Sequence, residues 1–358
     1  MGSFAGWEMP LWYSTGQIKE HINTREQCAL FDTCHMGEFM VTGNNSLSFW
    51  NRVLTNDISK IQDYQAQYNF ILNTNGGLID DGILYRYNEE KWMLVVNAGT
   101  IDEVDSWLRE QNQEEVTILN VSDQTAKIDL QGPYAPKTLA KLIGKDTVAE
   151  FKFFRFQEGI TIEGISTTIS RTGYTGEIGF ELYFPAAYGE QMWDILMKAG
   201  KEFQLIPAGL AARDTLRTEA GLPLSGQDLN SERVASGHPW MFAIDKDGDF
   251  IGKAALVKAE EEGKNKYIQA FRLDGKFKAL PHYSVIFEES KVGEVVTGVI
   301  APSLGNQPIG YALLDEKYRL ETELTFASPD NKRVTTGLIC EFPLLEITSR
   351  RKITDFLK

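Results

Sequence analysis

The chain is 358 residues long, 42% apolar and 24% charged, and carries a formal net charge of −14 at pH 7. This is the composition of a folded globular protein with room for two or three domains, and its acidity argues against a general binder of nucleic acid or anionic membrane, both of which it would repel at long range. Cys28, Cys34 and Cys340 form no CxxC pair and only four histidines occur, which argues against a disulfide scaffold or a structural zinc site.

Asn45 or Ser46 is placed to cap a helix whose apolar positions Leu47, Phe49, Trp50, Val53 and Leu54 follow helical spacing, until Asn56 and Asp57 end it. Next, QYNFIL, NTNGG and LIDDGILYRY set Asn75-Gly76 between two β-rich runs, the chemistry of a tight hairpin. Asp80 and Asp81 fall early on its second strand. The strand WMLVVN then leads to Thr100, with Glu103 at the third position after it, a capping box for a helix striped by Ile101, Val104, Trp107 and Leu108. Between residues 115 and 260, the strand-like runs TILNV, AKIDLQG, TTISR and GFELYF alternate with helices predicted near 134–143, 187–200, 208–220 and 252–262. After Gly263 only short β-type segments remain, separated by Gly, Pro, Asn and Asp. They predict a separate C-terminal β-barrel or sandwich of about 95 residues.

No apolar run reaches the roughly 20 residues that span a bilayer, and the N-terminus MGSFAGWEMP has no basic leader. A reducing cytoplasm is the expected home. A G-x-G-x-x-G turn opening a helix, a P-loop and an H-E-x-x-H pair are all missing, so nicotinamide, nucleoside-triphosphate and zinc-protease chemistry lack support.

Side chains alternate along a strand. Asp81 therefore shares a face with Ile79, Ile83, Tyr85 and Tyr87, and Asp80 shares the other with Leu78, Gly82, Leu84 and Arg86. Only one of the two aspartates can face a given pocket, and a carboxylate between aromatic walls suits a flat heterocycle. The segment SRTGYTGEIGFEL ends in a strand that carries Glu181; read alone, Glu181 is as well explained as a surface acid. Arg213 and Arg217 share a helix face, with Asp214 positioned to pair with Arg217, which also fits a structural ion-pair network. Arg350, Arg351 and Lys352 form the densest cationic cluster, suited either to an anionic ligand tail or to solubility. Cys34 and His35 are adjacent, and neighbours on an extended strand point apart, against a Cys/His nucleophile.

Taken together, the motifs resemble the glycine cleavage T-protein (aminomethyltransferase) family. FAGWEMP (4–10), LFDTCHMGEF (30–39), LTNDISK (54–60), NGGLIDDGILY (75–85), VVNAG (95–99), LQGP (130–133) and SRTGYTGEIGFEL (170–182) occur in family order. PAGLAARDTLRTEAGLPL (207–224), DFIGKAAL (249–256) and GEVVTGVIAPSLG (293–305) continue the series to the C-terminal part.

The resemblance implies an α+β fold. Residues 1–262 would form a folate-binding region of two intertwined, mixed α/β, ferredoxin-like subdomains, and residues 263–358 a C-terminal antiparallel β-barrel, in a three-domain cloverleaf. It implies transfer of a one-carbon unit from the aminomethyl-lipoyl arm of H protein to tetrahydrofolate, yielding 5,10-methylenetetrahydrofolate and ammonia. Carried over by position, the essential aspartate is Asp81 and the pterin-binding glutamate is Glu181. The motif arginine is Arg213, here in AARD where the family has GARD, and the C-terminal substrate arginine is Arg351. Tyr68, Tyr85, Asn97, Tyr174 and Met36 fall on pocket-lining positions; no metal, nucleic acid or membrane is implied. A pterin offers a ring N–H and an exocyclic amine side by side, which one carboxylate can accept with both oxygens. The carboxylates of the glutamyl tail suit the guanidinium forks of Arg213 and Arg351.

Two positions depart from the family pattern: Arg233 stands where relatives carry proline, and Phe154 where tyrosine is frequent. Two alternatives stay open on sequence. One is a tetrahydrofolate-dependent methyltransferase or demethylase of the same superfamily, taking a methyl group from sulfur, oxygen or nitrogen. The other is a non-catalytic folate-binding relative, whose K-G-C-Y-x-G-Q-E block is replaced here by GLPLSGQDLN.

Overall fold

The hairpin predicted around Asn75-Gly76 is present. Gln65–Leu72 and Leu78–Asn88 pair antiparallel, and Gly76 turns the chain at φ 77°, a left-handed conformation open to glycine without steric cost. A register shift pairs Leu72 with Leu78 but Ile71 with Asp80, so strict alternation starts only at Asp80. For this reason Ile79 joins the same apolar core as Leu84 instead of sharing Asp81's surroundings. In this computed structural model, which describes residues 1–263 and 265–358, the hairpin begins a five-stranded antiparallel sheet. Its order continues through Lys91–Val96, Gly37–Thr42 and Thr117–Asn120.

The helices Ser46–Val53 and Ile101–Glu110 cover one face of this sheet. Phe49, Trp50, Val104 and Leu108 pack there against Phe39, Val41, Leu84 and Leu94. Both helices lie where periodicity placed them, but neither expected cap forms. The Asn45 amide donates to the Glu114 carbonyl at 3.1 Å, and the Thr100 hydroxyl donates to Asp80 Oδ2 at 2.6 Å. Thr100 thus serves a buried acid in place of its own helix end.

The second sheet has six strands. Its order is Phe156–Ile162, Ile165–Ser170, Gly179–Pro185, Thr125–Gln131, Ala29–Asp32 and Ile206–Pro207, with only the last pair parallel. Helices Ala135–Ile143 and Gly189–Gly200 bury Leu139, Met192 and Leu196 against Ile128, Leu130, Phe180 and Leu182. The chain enters this sheet at Ala29–Asp32, crosses to build the five-stranded sheet, and returns, so the two layers are interleaved. Their uncovered faces meet through Tyr85, Tyr87, Met93, Val95, Phe156 and Tyr183.

The β-rich C-terminal part is a closed barrel, ordered Tyr267–Leu273, Gln307–Leu314, Ser290–Ala301, Ser284–Phe287, Glu323–Ala327 and Val334–Cys340. Closure leaves no free edge strand. Beyond the barrel the chain returns to the six-stranded sheet, where Ile353 and Leu357 join its core and the Thr348 and Ser349 amides donate to the Gly176 carbonyl. Among the described residues, no helix is long and apolar enough to cross a membrane.

Arg217 ties the helix Leu210–Glu219 to the barrel. Fully buried, it donates to Asp214 at 2.9 Å, Asp228 at 2.7 Å and Thr297 at 3.1 Å. Burial pushes the Asp228 carboxyl up even beside this cation, so Arg217→Ala would leave a buried acid without a counter-ion. We expect a loss of about 3–5 kcal/mol, seen as a fall in Tm on the order of 10 °C. An unchanged melting curve would contradict this assignment.

Candidate active site

Asp81 lies on Leu78–Asn88 at the seam between the two sheets, half-buried. Its Oδ2 accepts from the Tyr68 hydroxyl at 2.7 Å and its Oδ1 from the Asn97 amide at 2.9 Å. The same Asn97 side chain donates to Asp80 at 2.7 Å, and Asp80 also accepts from the Asn97 backbone N–H at 2.9 Å. Asp80 is fully buried and satisfied, so it acts as a prop, whereas Asp81 is only partly buried. Burial raises the Asp81 pKa to about 7, helped by the nearby Asp80 charge and opposed by the Tyr68 and Asn97 hydrogen bonds. A carboxyl so poised can hold or release a proton near neutrality.

Glu181 projects from Gly179–Pro185 across the seam. Its Oε2 accepts from Thr172 at 2.5 Å, Tyr85 at 3.0 Å and Tyr183 at 3.2 Å, and its Oε1 from Lys127 Nζ at 2.9 Å. Lys127, 1% exposed, also donates to Asp129 at 2.5 Å, and Asp129 accepts from Arg213 at 2.7 Å. Burial disfavours the Lys127 charge, yet Asp129 and Glu181 outweigh it and hold the ammonium above its usual range. Asp129 is likewise held below its usual range by Lys127 and Arg213 against burial. The result is an alternating chain of charge, Glu181, Lys127, Asp129 and Arg213, with the Arg213 guanidinium 5.1 Å from the Tyr174 ring centre.

Most of the residues expected from sequence are thus brought together. Tyr68 and Asn97 contact Asp81; Tyr85 contacts Glu181; Tyr174 stacks on Arg213 and donates to the Pro223 carbonyl. Met36 packs with the group around Tyr85, as does Phe154. Arg351 stands apart: it is exposed, its guanidinium sits 5.5 Å from the Phe356 ring, and no contact among the described residues links it to the carboxylates. Arg233 pairs with Glu294 of the barrel at 2.6 Å.

Lys127, Asp129, Thr172 and Tyr183 were not singled out by sequence. Lys127, Asp129 and Gln131 alternate with Ala126, Ile128 and Leu130 in AKIDLQG, and that alternation was the available signal. What it lacks is knowledge that this strand is central, flanked on both sides. Cys34 and His35 sit in a turn, not on a strand. Burial pushes the Cys34 thiol up to about 12, with Asp32 adding to it, and burial pushes His35 down to about 4. This pairing gives neither a thiolate nor an imidazolium at neutral pH.

Residues 1–247 match the family model described as the GCVT N-terminal domain. An aminomethyltransferase of Thermoanaerobacter pseudethanolicus is 43% identical over 318 residues, 88% of this chain and 85% of that protein. The aminomethyltransferase of Thermotoga petrophila is 38% identical over 356 residues, covering 99% of this chain and 96% of its own length. The crystal structure of glycine cleavage system aminomethyltransferase T from Bartonella henselae is similar over 97% of this chain and 94% of that one. Its TM-score is 0.87 at 28% sequence identity.

Proposed function

Because this chain belongs to the glycine cleavage T-protein family and is an aminomethyltransferase of that system, we propose that Asp81 is its catalytic carboxyl and tetrahydrofolate its one-carbon acceptor. The observation that carries the reading is the Asp81 carboxyl, fixed by Tyr68 and Asn97 and poised to change charge near pH 7. The donor is the aminomethyl group on the lipoyl arm of H protein, a transient partner. Three free thiols suit a reducing compartment such as the cytoplasm.

The residues present fit a pteridine on chemical grounds. Each carboxylate oxygen can accept two hydrogen bonds or so. Glu181 Oε1 accepts one and has room for a ring N–H, while Oε2 is already surrounded by three hydroxyls. Those hydroxyls can rotate to donate elsewhere within the Thr172, Tyr85 and Tyr183 group, so two-oxygen recognition asks one of them to yield. When bound, tetrahydrofolate supplies the nucleophilic nitrogens that take up the one-carbon unit. Glu181 orients the ring, Tyr85 and Met36 wall it, and ionised Asp81 stabilises cationic character developing nearby and takes up the proton released at the reacting edge. The fork of Arg213 not spent on Asp129, together with Arg351, would serve the carboxylates of the glutamyl tail. We assign folate binding to residues 1–262 and treat 263–358 as the barrel unit.

The direct test mixes the protein with aminomethylated H protein and tetrahydrofolate and measures ammonia and 5,10-methylenetetrahydrofolate. Silence there, with methyl transfer from a small sulfonium or ether donor, would overturn the donor assignment. Glu181→Gln should weaken tetrahydrofolate about 10- to 100-fold, the worth of one charge-assisted hydrogen bond, measured by calorimetry. Unchanged affinity would remove Glu181 from the site.

A further inference from the structure

Gly37–Thr42 carries one residue that the charge chain does not explain. Phe39 and Val41 point into the core under the helices, while Met40 packs on the opposite face with Tyr85 and Tyr183. Glu38 alternates with Phe39 and so shares that inner face; it lies directly across from Val95, part of the same seam. It is 1% exposed, and its Oε2 has no hydrogen-bond partner among the described residues. Lys127 and Glu181 are the charged groups that act on it.

An orphaned polar oxygen at such depth costs stability. Burial, reinforced by the Glu181 charge and opposed by Lys127, raises the Glu38 pKa to about 8, so the neutral acid predominates at pH 7. A neutral carboxyl is a hydrogen-bond donor, which the carboxylate of Glu181 cannot be. On a pterin, the pair of donors that meets a carboxylate is flanked on either side by an acceptor, the ring carbonyl oxygen or a ring nitrogen. A group beside Glu181 that touches the ring must therefore donate.

We propose that Glu38 is a second ring-binding acid of the site, donating its O–H to a pteridine acceptor next to the edge held by Glu181. The inference rests on the folate reading above. Its oxygen is unpartnered because the ligand is its partner, and the protein carries the cost of the empty position.

The test separates ligand binding from stability, using tetrahydrofolate calorimetry and thermal melts on the full chain. Glu38→Leu should bind tetrahydrofolate about tenfold more weakly, the scale of one hydrogen bond, and melt at a temperature equal to or higher than the parent. Glu38→Gln, whose amide also donates, should keep affinity within about threefold. A purely structural Glu38 predicts the reverse, a lower Tm in Glu38→Leu with unchanged affinity, and that result would overturn the proposal. Should the parent itself not bind tetrahydrofolate, or Glu181→Gln bind as well as the parent, the folate reading fails. A normal parent and a weakened Glu181→Gln beside an unaffected Glu38→Leu defeat the Glu38 role alone.

Discussion

Asp81→Asn is expected to lower kcat by about two to four orders of magnitude, the range of a lost proton-transfer group, while tetrahydrofolate affinity changes less than about threefold. Asparagine keeps the size of the side chain and can still accept from Tyr68, so the fold and the seam persist. What it loses is the titratable charge. In the parent, kcat/KM should rise with pH through an apparent pKa near 7 as Asp81 ionises. That value belongs to the Asp80 and Asp81 pair together, since each feels the other's charge. The variant's residual rate should be flat across the same range.

The same substitution has a stability signature whose sign follows from linkage. In the folded chain the Asp81 pKa is raised to about 7, above the value of about 3.9 for an unfolded aspartate. The folded state therefore binds this proton more tightly, and the parent loses stability as pH rises from about 4 to about 7. Asp81→Asn escapes that loss, so its Tm advantage over the parent should grow across this window and level off above it. Full turnover in the variant, or a constant Tm difference from pH 4 to 8, would refute the assignment of the proton to Asp81.

Much of this site was readable because local chemistry and global position coincide there. The Asn75-Gly76 turn fixes the hairpin, and the hairpin fixes which face Asp81 takes from Asp80 onward. The face rule failed at Leu78 and Ile79, where a register shift that no periodicity encodes offsets the strand and Leu78 packs with Phe70 and Ile79 with Leu84. The caps failed for a related reason. Thr100 has the residue type and spacing of a cap, but the buried Asp80 carboxyl outbids a solvent-accessible helix end for its hydroxyl. The charge chain was illegible for a topological reason: Lys127 and Asp129 sit two apart in sequence, while Glu181 and Arg213 arrive from a neighbouring strand and a helix far along the chain. Glu38 was hidden because an acid flanked by Gly37 and Phe39 looks like any other strand acid until its depth is known.

Lys127→Met is expected to cost as much stability as Arg217→Ala. The ammonium is the only cation within hydrogen-bond reach of Glu181 among the described residues, and it shares Asp129 with Arg213. Methionine fills similar volume, so the loss is electrostatic and not a cavity. Asp129 retains Arg213 and the Thr33 hydroxyl at 3.0 Å, whereas Glu181 retains only neutral hydroxyl donors, beside the unpaired Glu38. Removing one partner from a buried ion network costs about 3–5 kcal/mol because the other charge stays behind. Chemical denaturation should show that loss. Adding Glu181→Gln to Lys127→Met removes the stranded charge and should restore a large part of the stability, a coupling of at least about 1 kcal/mol in the double-mutant cycle. Tetrahydrofolate binding should stay weak in the double variant, since the carboxylate proposed to accept from the pterin is gone. Additive effects of the two changes would mean that Lys127 stabilises the seam by packing alone, and the account of Lys127 as the ion-pair partner of Glu181 would have to be abandoned.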